Sequence, residues 1–196
     1  MQLEREALEN RFVRLEPMGE AHREDLRAAC DADPATWTEL YPFSMAGEHF
    51  DAAWTRMYAE PGPTYAGYAV VVAGRCMGMS SYLGIDLENQ TLEIGATYYH
   101  PDVRGGPVNP AAKRLLMAHA FEAGVRRVQF KVDAINARSR AAVLKLGAVQ
   151  EGVLRQDRVT WTGRIRDTAV FSVLAHEWPA VRERLDDRLA MIEVAR

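Results

Sequence analysis

The hydrophobic period of the chain changes once, after Pro101, and that switch restricts the fold more than any other feature of the sequence. Upstream, three short β-branched and aromatic runs follow one another: Tyr65 to Ala73, Cys76 to Ile85 and Thr91 to Tyr99. Only Ala73-Gly74-Arg75 and the polar stretch Asp86 to Gln90 separate them. Connections that short join antiparallel neighbours, so the runs predict a meander. Downstream, Val108, Ala112, Leu115, Leu116 and Ala120 fall on one face of a helix over Asn109 to Ala123. Arg127 to Asp133 then alternates, with Val128, Phe130 and Val132 on one side, and reads as a strand. Asn136 to Leu146 is a short helix closed by Gly147. Strands near Ala148 to Thr160 and Arg164 to Leu174 flank Trp161-Thr162-Gly163, and a charged helix runs from about Trp178 to Val194.

The N-terminal part adds a strand and two helices. Phe12, Arg14 and Glu16 alternate with Val13 and Leu15 over Arg11 to Glu16, and Pro17 ends the run. Gly19 to Asp31 reads as a helix with Leu26, Ala29 and Cys30 on one face, and a loop with Pro34, Pro42 and several aromatics follows. Gly47 to Glu60 carries Phe50, Ala53, Trp54 and Met57 at helical spacing before Pro61-Gly62-Pro63 stops it. The order is β, α, α, three β, α, β, α, β, β, α. It predicts a mixed α/β fold with an antiparallel meander and a helical crossover; a doubly wound parallel sheet would need more strands separated by helices.

The 196 residues are expected to form a single domain, 1–196, with a hydrophobic fraction of 48% that suits an ordinary folded core. Formal net charge is -3, from 24 basic and 27 acidic residues, which argues against broad nucleic-acid binding. Cys30 and Cys76 make no C-x-x-C pair and are expected as lone, partly buried thiols in a reducing cytoplasm. His22, His49, His100, His119 and His176 lack metal-ligand spacing, so no metal site is expected. Met1 to Asn10 contains four charged residues and no apolar run, the pattern of a chain without a signal peptide. No stretch approaches the roughly 20 apolar residues of a membrane span.

Two runs carry candidate chemistry. Arg104, Gly105 and Gly106 precede the helix starting near Asn109, where free N–H groups and the helix dipole favour an anion. The glycines allow close backbone approach to a phosphate, and Arg104 and Lys113 add charge; a plain strand-to-helix turn is the alternative. The loop is neither G-x-G-x-x-G nor a Walker loop. In the second run, Asn136 is placed as an N-cap and Ser139 falls in the first turn, a role that needs no ligand.

Taken together, Leu92-Glu-Ile-Gly95, Arg104-Gly-Gly-Pro-Val-Asn109 with Lys113, Asn136-Ala-Arg-Ser139, and Leu146-Gly-Ala-Val-Gln-Glu-Gly-Val-Leu-Arg155 resemble the GNAT acyltransferase superfamily. The branch resembled is that of ribosomal-protein N-terminal alanine and serine acetyltransferases, over roughly Arg11 to Trp178. The resemblance implies an acyl-CoA N-acyltransferase fold: a central, mostly antiparallel sheet, splayed at the cofactor site, with helices on both faces. It implies acetyl-CoA as co-substrate, its pantetheine arm between the strand ending near Tyr98-Tyr99 and the strand Arg127 to Asp133. The pyrophosphate would meet Arg104, Gly105, Gly106, Val108 and Asn109 with Lys113 nearby, Asn136 would bond the pantetheine, and Ser139 would lie near the sulfur. The superfamily's usual Arg/Gln-x-x-Gly-x-Gly/Ala loop is replaced here, and Pro107 removes one N–H from the cradle.

Acetyl transfer to an amine needs a neutral nucleophile, a polarised thioester and a proton for the thiolate. Glu93 is the candidate base, directly or through water, against the plainer role of an outward strand residue. A backbone N–H near Tyr98 or Tyr99 is the candidate oxyanion donor, and Ser139, ahead of either tyrosine, the candidate acid. Asp157 reads as an exposed strand carboxylate with a possible reach to the acceptor. Trp37, Tyr41, Phe43, Trp54 and Trp161 read either as core or as walls of an acceptor pocket. The expected activity is N-acetylation of an amine, either a protein N-terminus or a small molecule such as an antibiotic or polyamine. A catalytically silent acyl-CoA sensor or scaffold is the alternative, and a nucleotide-phosphate enzyme lacks its Gly-Lys-Ser/Thr loop. An exposed sheet edge or the last helix leaves room for a homodimer.

Overall fold

The computed structural model describes residues 3–194, in which eight strands form one sheet of order β1-β2-β3-β4-β5-β6-β8-β7. The chain runs β1 (Leu8–Asn10), β2 (Val13–Pro17), α1 (Arg23–Asp31), α2 (Pro34–Leu40), α3 (Phe50–Trp54), β3 (Ala66–Val72), β4 (Arg75–Asp86) and β5 (Thr91–Tyr99). It continues with α4 (Val108–Glu122), β6 (Arg127–Asp133), α5 (Ala137–Lys145), β7 (Val149–Val159), β8 (Ile165–Leu174) and α6 (Trp178–Val194). The expected mixed α/β fold, with its meander and helical crossover, is the one observed. All neighbouring pairs are antiparallel except β5 and β6, which the α4 crossover makes parallel.

The N-terminus and the first loop differ from the periodicity-based expectation. The single strand predicted over Arg11 to Glu16 is the second arm of a hairpin, because Asn10 turns the chain: its Oδ1 accepts from the N–H groups of Phe12 at 2.9 Å and Val13 at 3.1 Å. The region read as a loop after Asp31 contains α2, whose N-cap Asp33 accepts from Thr36 N at 3.4 Å and whose first residue is Pro34. Asp-Pro is a helix-start signal, but the segment is too short for periodicity to show. The helix read over Gly47 to Glu60 is composite, a 3-10 turn, then α3, then wider π-turns over Thr55–Ala59.

Two cores lie on opposite faces of the sheet. On one face, Leu116, Met117 and Ala120 of α4 and Val181, Leu185 and Leu189 of α6 cover Leu92, Ile94, Val128, Phe130 and Phe171. On the other, α1 to α3 bring Leu26, Cys30, Trp37, Phe50 and Trp54 against Ala69, Cys76, Met79 and Tyr98. Each such fully buried large side chain stabilises the fold by roughly 1.5–3 kcal/mol. The strand registers put Glu93, Gln129, Lys131, Thr168, Arg166 and Arg158 together on that second face. They mark its polar, β6–β8–β7 side.

Candidate active site

The parallel pair is the centre of the site. Thr91, Leu92 and Glu93 pair with Arg127, Val128 and Gln129, and the ladder stops there. Beyond this fork a cavity of about 800 Å³ opens, lined by Ile94 to Tyr99 on one side and Phe130 to Asp133 on the other. The opposite edge of β5 is irregular too. Gly95 and Tyr98 stand opposite Ser81 and Met79, so β5 carries one extra residue, and Ala96 takes φ 43°. A bulge of this kind turns backbone groups out of the ladder.

The residues around that bulge are tied down from several directions. Lys113 Nζ donates to Ser80 Oγ at 2.8 Å and Thr97 Oγ1 at 2.5 Å, and those two hydroxyls lie 2.8 Å apart. The Tyr41 hydroxyl donates to the Thr97 carbonyl. Arg104 fixes the end of the strand: its Nε donates to the Tyr99 carbonyl at 2.8 Å, it pairs with Asp33, and it lies over the Tyr98 ring. The guanidinium in turn holds the Asp33 carboxyl below the usual aspartate range.

Glu93 sits at the fork itself, with its side chain 14% exposed and Oε2 3.4 Å from Lys131 Nζ. Burial holds its carboxyl above the usual glutamate range, although Lys131, Arg158 and Arg166 pull the other way. Gly95 gives this carboxylate its place. A Cβ there would stand 2.6 Å from Glu93 Oε1 and 2.6 Å from Leu83 Cδ1. Removing Lys113 from water pushes its amine down to about 7.

Of the residues named from sequence, Gly105, Gly106 and Asn109 line the cavity at the start of α4, and Asn136 and Ser139 line it at the start of α5. Asn136 caps α5, its Oδ1 accepting from Ser139 N at 2.9 Å. Val108 is buried in the core. The first helical bond of α4 runs from Ala111 N to Pro107 O at 2.9 Å. Pro107, the N-cap, and Pro110, the third residue of α4, remove two N–H groups, leaving those of Val108 and Asn109 as first-turn donors. Lys113 and Arg104 also make contacts within the chain. Lys113, 5% exposed, points into the sheet, and the Arg104 guanidinium is engaged by Asp33 and Tyr99. Both line the cavity while bracing its wall.

Tyr98 donates its proton to the Ala29 carbonyl at 2.8 Å, whereas the buried Tyr99 hydroxyl has no hydrogen-bond partner among the described residues. Asp157 accepts from Thr168 Oγ1 at 2.8 Å. Trp37 and Trp54 are core, while Tyr41 and Phe43 line the cavity. Trp161 at the β7–β8 turn donates through Nε1 to the Trp37 carbonyl at 3.0 Å, clasping the hairpin over the α2 region. Sequence reasoning missed Tyr41's contact with Thr97, and it missed Lys131, Arg158 and Arg166 on the cavity wall. The alternation of β6 carried a signal for Lys131, since it stands opposite Val128, Phe130 and Val132; nothing local marked the arginines.

A mixed sheet whose one parallel pair among the described residues forks over a carboxylate, with a glycine loop and an N-capped helix at the mouth, defines an acyltransferase fold. Residues 13–149 match the family model described as an acetyltransferase (GNAT) domain, and the chain belongs to that family. It is therefore an acyltransferase, with acetyl-CoA as its acyl donor. The chain is 32% identical over 126 residues to YdaF of Bacillus subtilis (strain 168), itself provisionally assigned as a ribosomal N-acetyltransferase; the match covers 64% of this chain and 67% of YdaF. It resembles a GCN5-related N-acetyltransferase from Brucella melitensis at TM-score 0.87 and 32% identity, covering 95% of this chain and 86% of that one. A provisionally assigned acetyltransferase from T. thermophilus matches at TM-score 0.86 and 38% identity, over 96% and 100% of the respective chains.

Proposed function

We propose that residues 1–196 act as one unit that moves an acetyl group from acetyl-CoA to the α-amine of a protein N-terminus, in the cytoplasm, by direct attack within a ternary complex. The observation that carries this reading is the Glu93 carboxylate, buried where β5 and β6 part. Its elevated pKa makes it a stronger base than a solvated glutamate. An α-ammonium of pKa about 8 is within easier reach of such a base than a lysine ammonium of about 10.4. The relative in B. subtilis, with its ribosomal N-acetyltransferase assignment, points to the same acceptor class.

Each part of the site has a task in this scheme. The unpaired edges of β5 and β6 hold the pantetheine amides, and the N–H groups of Gly105, Gly106, Val108 and Asn109 receive the pyrophosphate. Glu93 takes a proton from the ammonium, directly or through water. As nitrogen bonds to the acyl carbon, a backbone N–H of the Thr97–Tyr99 segment steadies the oxyanion. The C–S bond then breaks; the nitrogen's surplus proton passes to the Ser139 oxygen as the Ser139 hydroxyl gives its own to the departing thiolate, which leaves amide, thiol and neutral serine.

Initial-rate kinetics with acetyl-CoA and an Ala- or Ser-initiated peptide test this scheme. Intersecting double-reciprocal lines are expected for a ternary complex; parallel lines would require a covalent acyl-enzyme and would refute direct attack.

A further inference from the structure

The polar side of the sheet holds a buried cation that its neighbours satisfy incompletely. Arg166, 5% exposed, lines the cavity, and its Nε has no hydrogen-bond partner among the described residues. Its nearest carboxylate oxygen, Asp133 Oδ2, is 3.8 Å away and is bonded more closely by Arg164. Directly across the β7–β8 ladder stands Arg158, which also lines the cavity. Its Nε contacts the adjacent Asp157 at 3.3 Å, with Asp157 shared by Thr168. Lys131 joins them on the same face and reaches Glu93. Arg56, exposed, also lines the cavity, whose lining carboxylates are those of Glu93 and Asp133. A buried guanidinium without a close counter-ion is costly unless a partner arrives.

The pyrophosphate does not supply that partner in the proposed pose. It is assigned to the α4 mouth, whereas Arg158 and Arg166 lie on the strands beyond β6. What the acceptor brings must therefore complement them. Polyamines and aminoglycosides are polycations and would meet like charge, which disfavours binding.

We infer that the acceptor is an acidic peptide N-terminus, its α-amine at Glu93 and an Asp or Glu side chain just behind it received by Arg158 and Arg166. This rests on the N-terminal acetylation proposed above. Lys131 then has two functions, holding Glu93 in place and adding to the field that draws the peptide in.

The test compares kcat/KM for three peptides identical except at the second residue, Ala-Glu, Ala-Gln and Ala-Lys, in the wild type, Arg158→Gln and Arg158→Glu. Arg158 is exposed, so these variants keep the core intact. The wild type should favour the Glu peptide over the Gln peptide by about tenfold or more, mostly through KM. Arg158→Gln should shrink that ratio severalfold, and Arg158→Glu should shift preference to the Lys peptide. Equal wild-type rates on all three peptides, or equal losses on all three in the variants, would overturn the inference while leaving N-terminal acetylation standing. Turnover of free aspartate or phosphoethanolamine with no peptide turned over would overturn the peptide as occupant. Failure with every amine would remove the acetylation reading itself.

Discussion

Glu93 and Gly95 share one face of β5, and the carboxylate of the first lies where a side chain on the second would stand. Gly95→Ala should therefore displace the proposed base without touching the Arg104–Asn109 loop. We expect kcat to fall about tenfold or more, with coenzyme A affinity by calorimetry within a factor of two or so. Equal losses in both would mean that Gly95 serves the cofactor groove instead. Lys113 gives a second prediction at this scale. Its amine, held at about 7 in the fold, sits near 10.5 when solvated, so the unfolded chain binds more protons between those values. Stability then rises with pH across that window, is fully gained above it and is lost as pH falls through 7. Lys113→Met should flatten the rise in Tm between pH 7 and 9; an unchanged slope would assign the pH dependence to another group. The sequence marked Lys113 as a cation near a phosphate loop because only its distance along the chain was visible. That its side chain crosses to Ser80 and Thr97 depends on how α4 lies on the sheet.

At the level of elements, α5 depends on its cap. Asn136→Ala removes the Asn136–Ser139 bond and should destabilise the fold by about 1 kcal/mol. Because the same turn lines the cavity, coenzyme A affinity should weaken alongside Tm. A lowered Tm with unchanged affinity would confine Asn136 to capping. The long elements were readable in advance. The meander, α4, β6 and the β7–β8 hairpin carry strong periodicity, and each lies within about two residues of its expected bounds, as helix and strand ends usually do. The short ones were not. The Asn10 turn, α2 and the π-turns after α3 are set by single side chains and by docking against the sheet, and leave little periodic trace.

Across the whole molecule, two cores on opposite faces hold β5 and β6 at the angle that opens the cavity, and the β7–β8 hairpin crosses to the α2 region through Trp161. Its clasp also includes Arg164, which donates to the Glu39 carbonyl at 3.3 Å. Trp161→Ala should loosen the acceptor side more than the cofactor side, raising KM for peptide severalfold with little change for acetyl-CoA; the reverse pattern would place the hairpin's influence on the cofactor. The glycine loop and the Asn136 cap were legible because they are contiguous in sequence. The wall of Lys131, Arg158 and Arg166 was not, since it joins three strands whose order, β6-β8-β7, no local pattern reveals.

Glu93, at the fork of β5 and β6, is the base proposed for acetyl transfer to an N-terminal amine. Its most direct test is the rate of thiol release from acetyl-CoA with an Ala-initiated peptide, wild type against Glu93→Gln, across pH 5 to 9. The wild-type rate should climb from acid pH as the carboxyl loses its proton, and the glutamine variant should be slower by about 10²–10⁴-fold, its remaining rise following only the peptide α-amine of pKa about 8. A variant as fast as the wild type, with the same pH profile, would contradict the assignment.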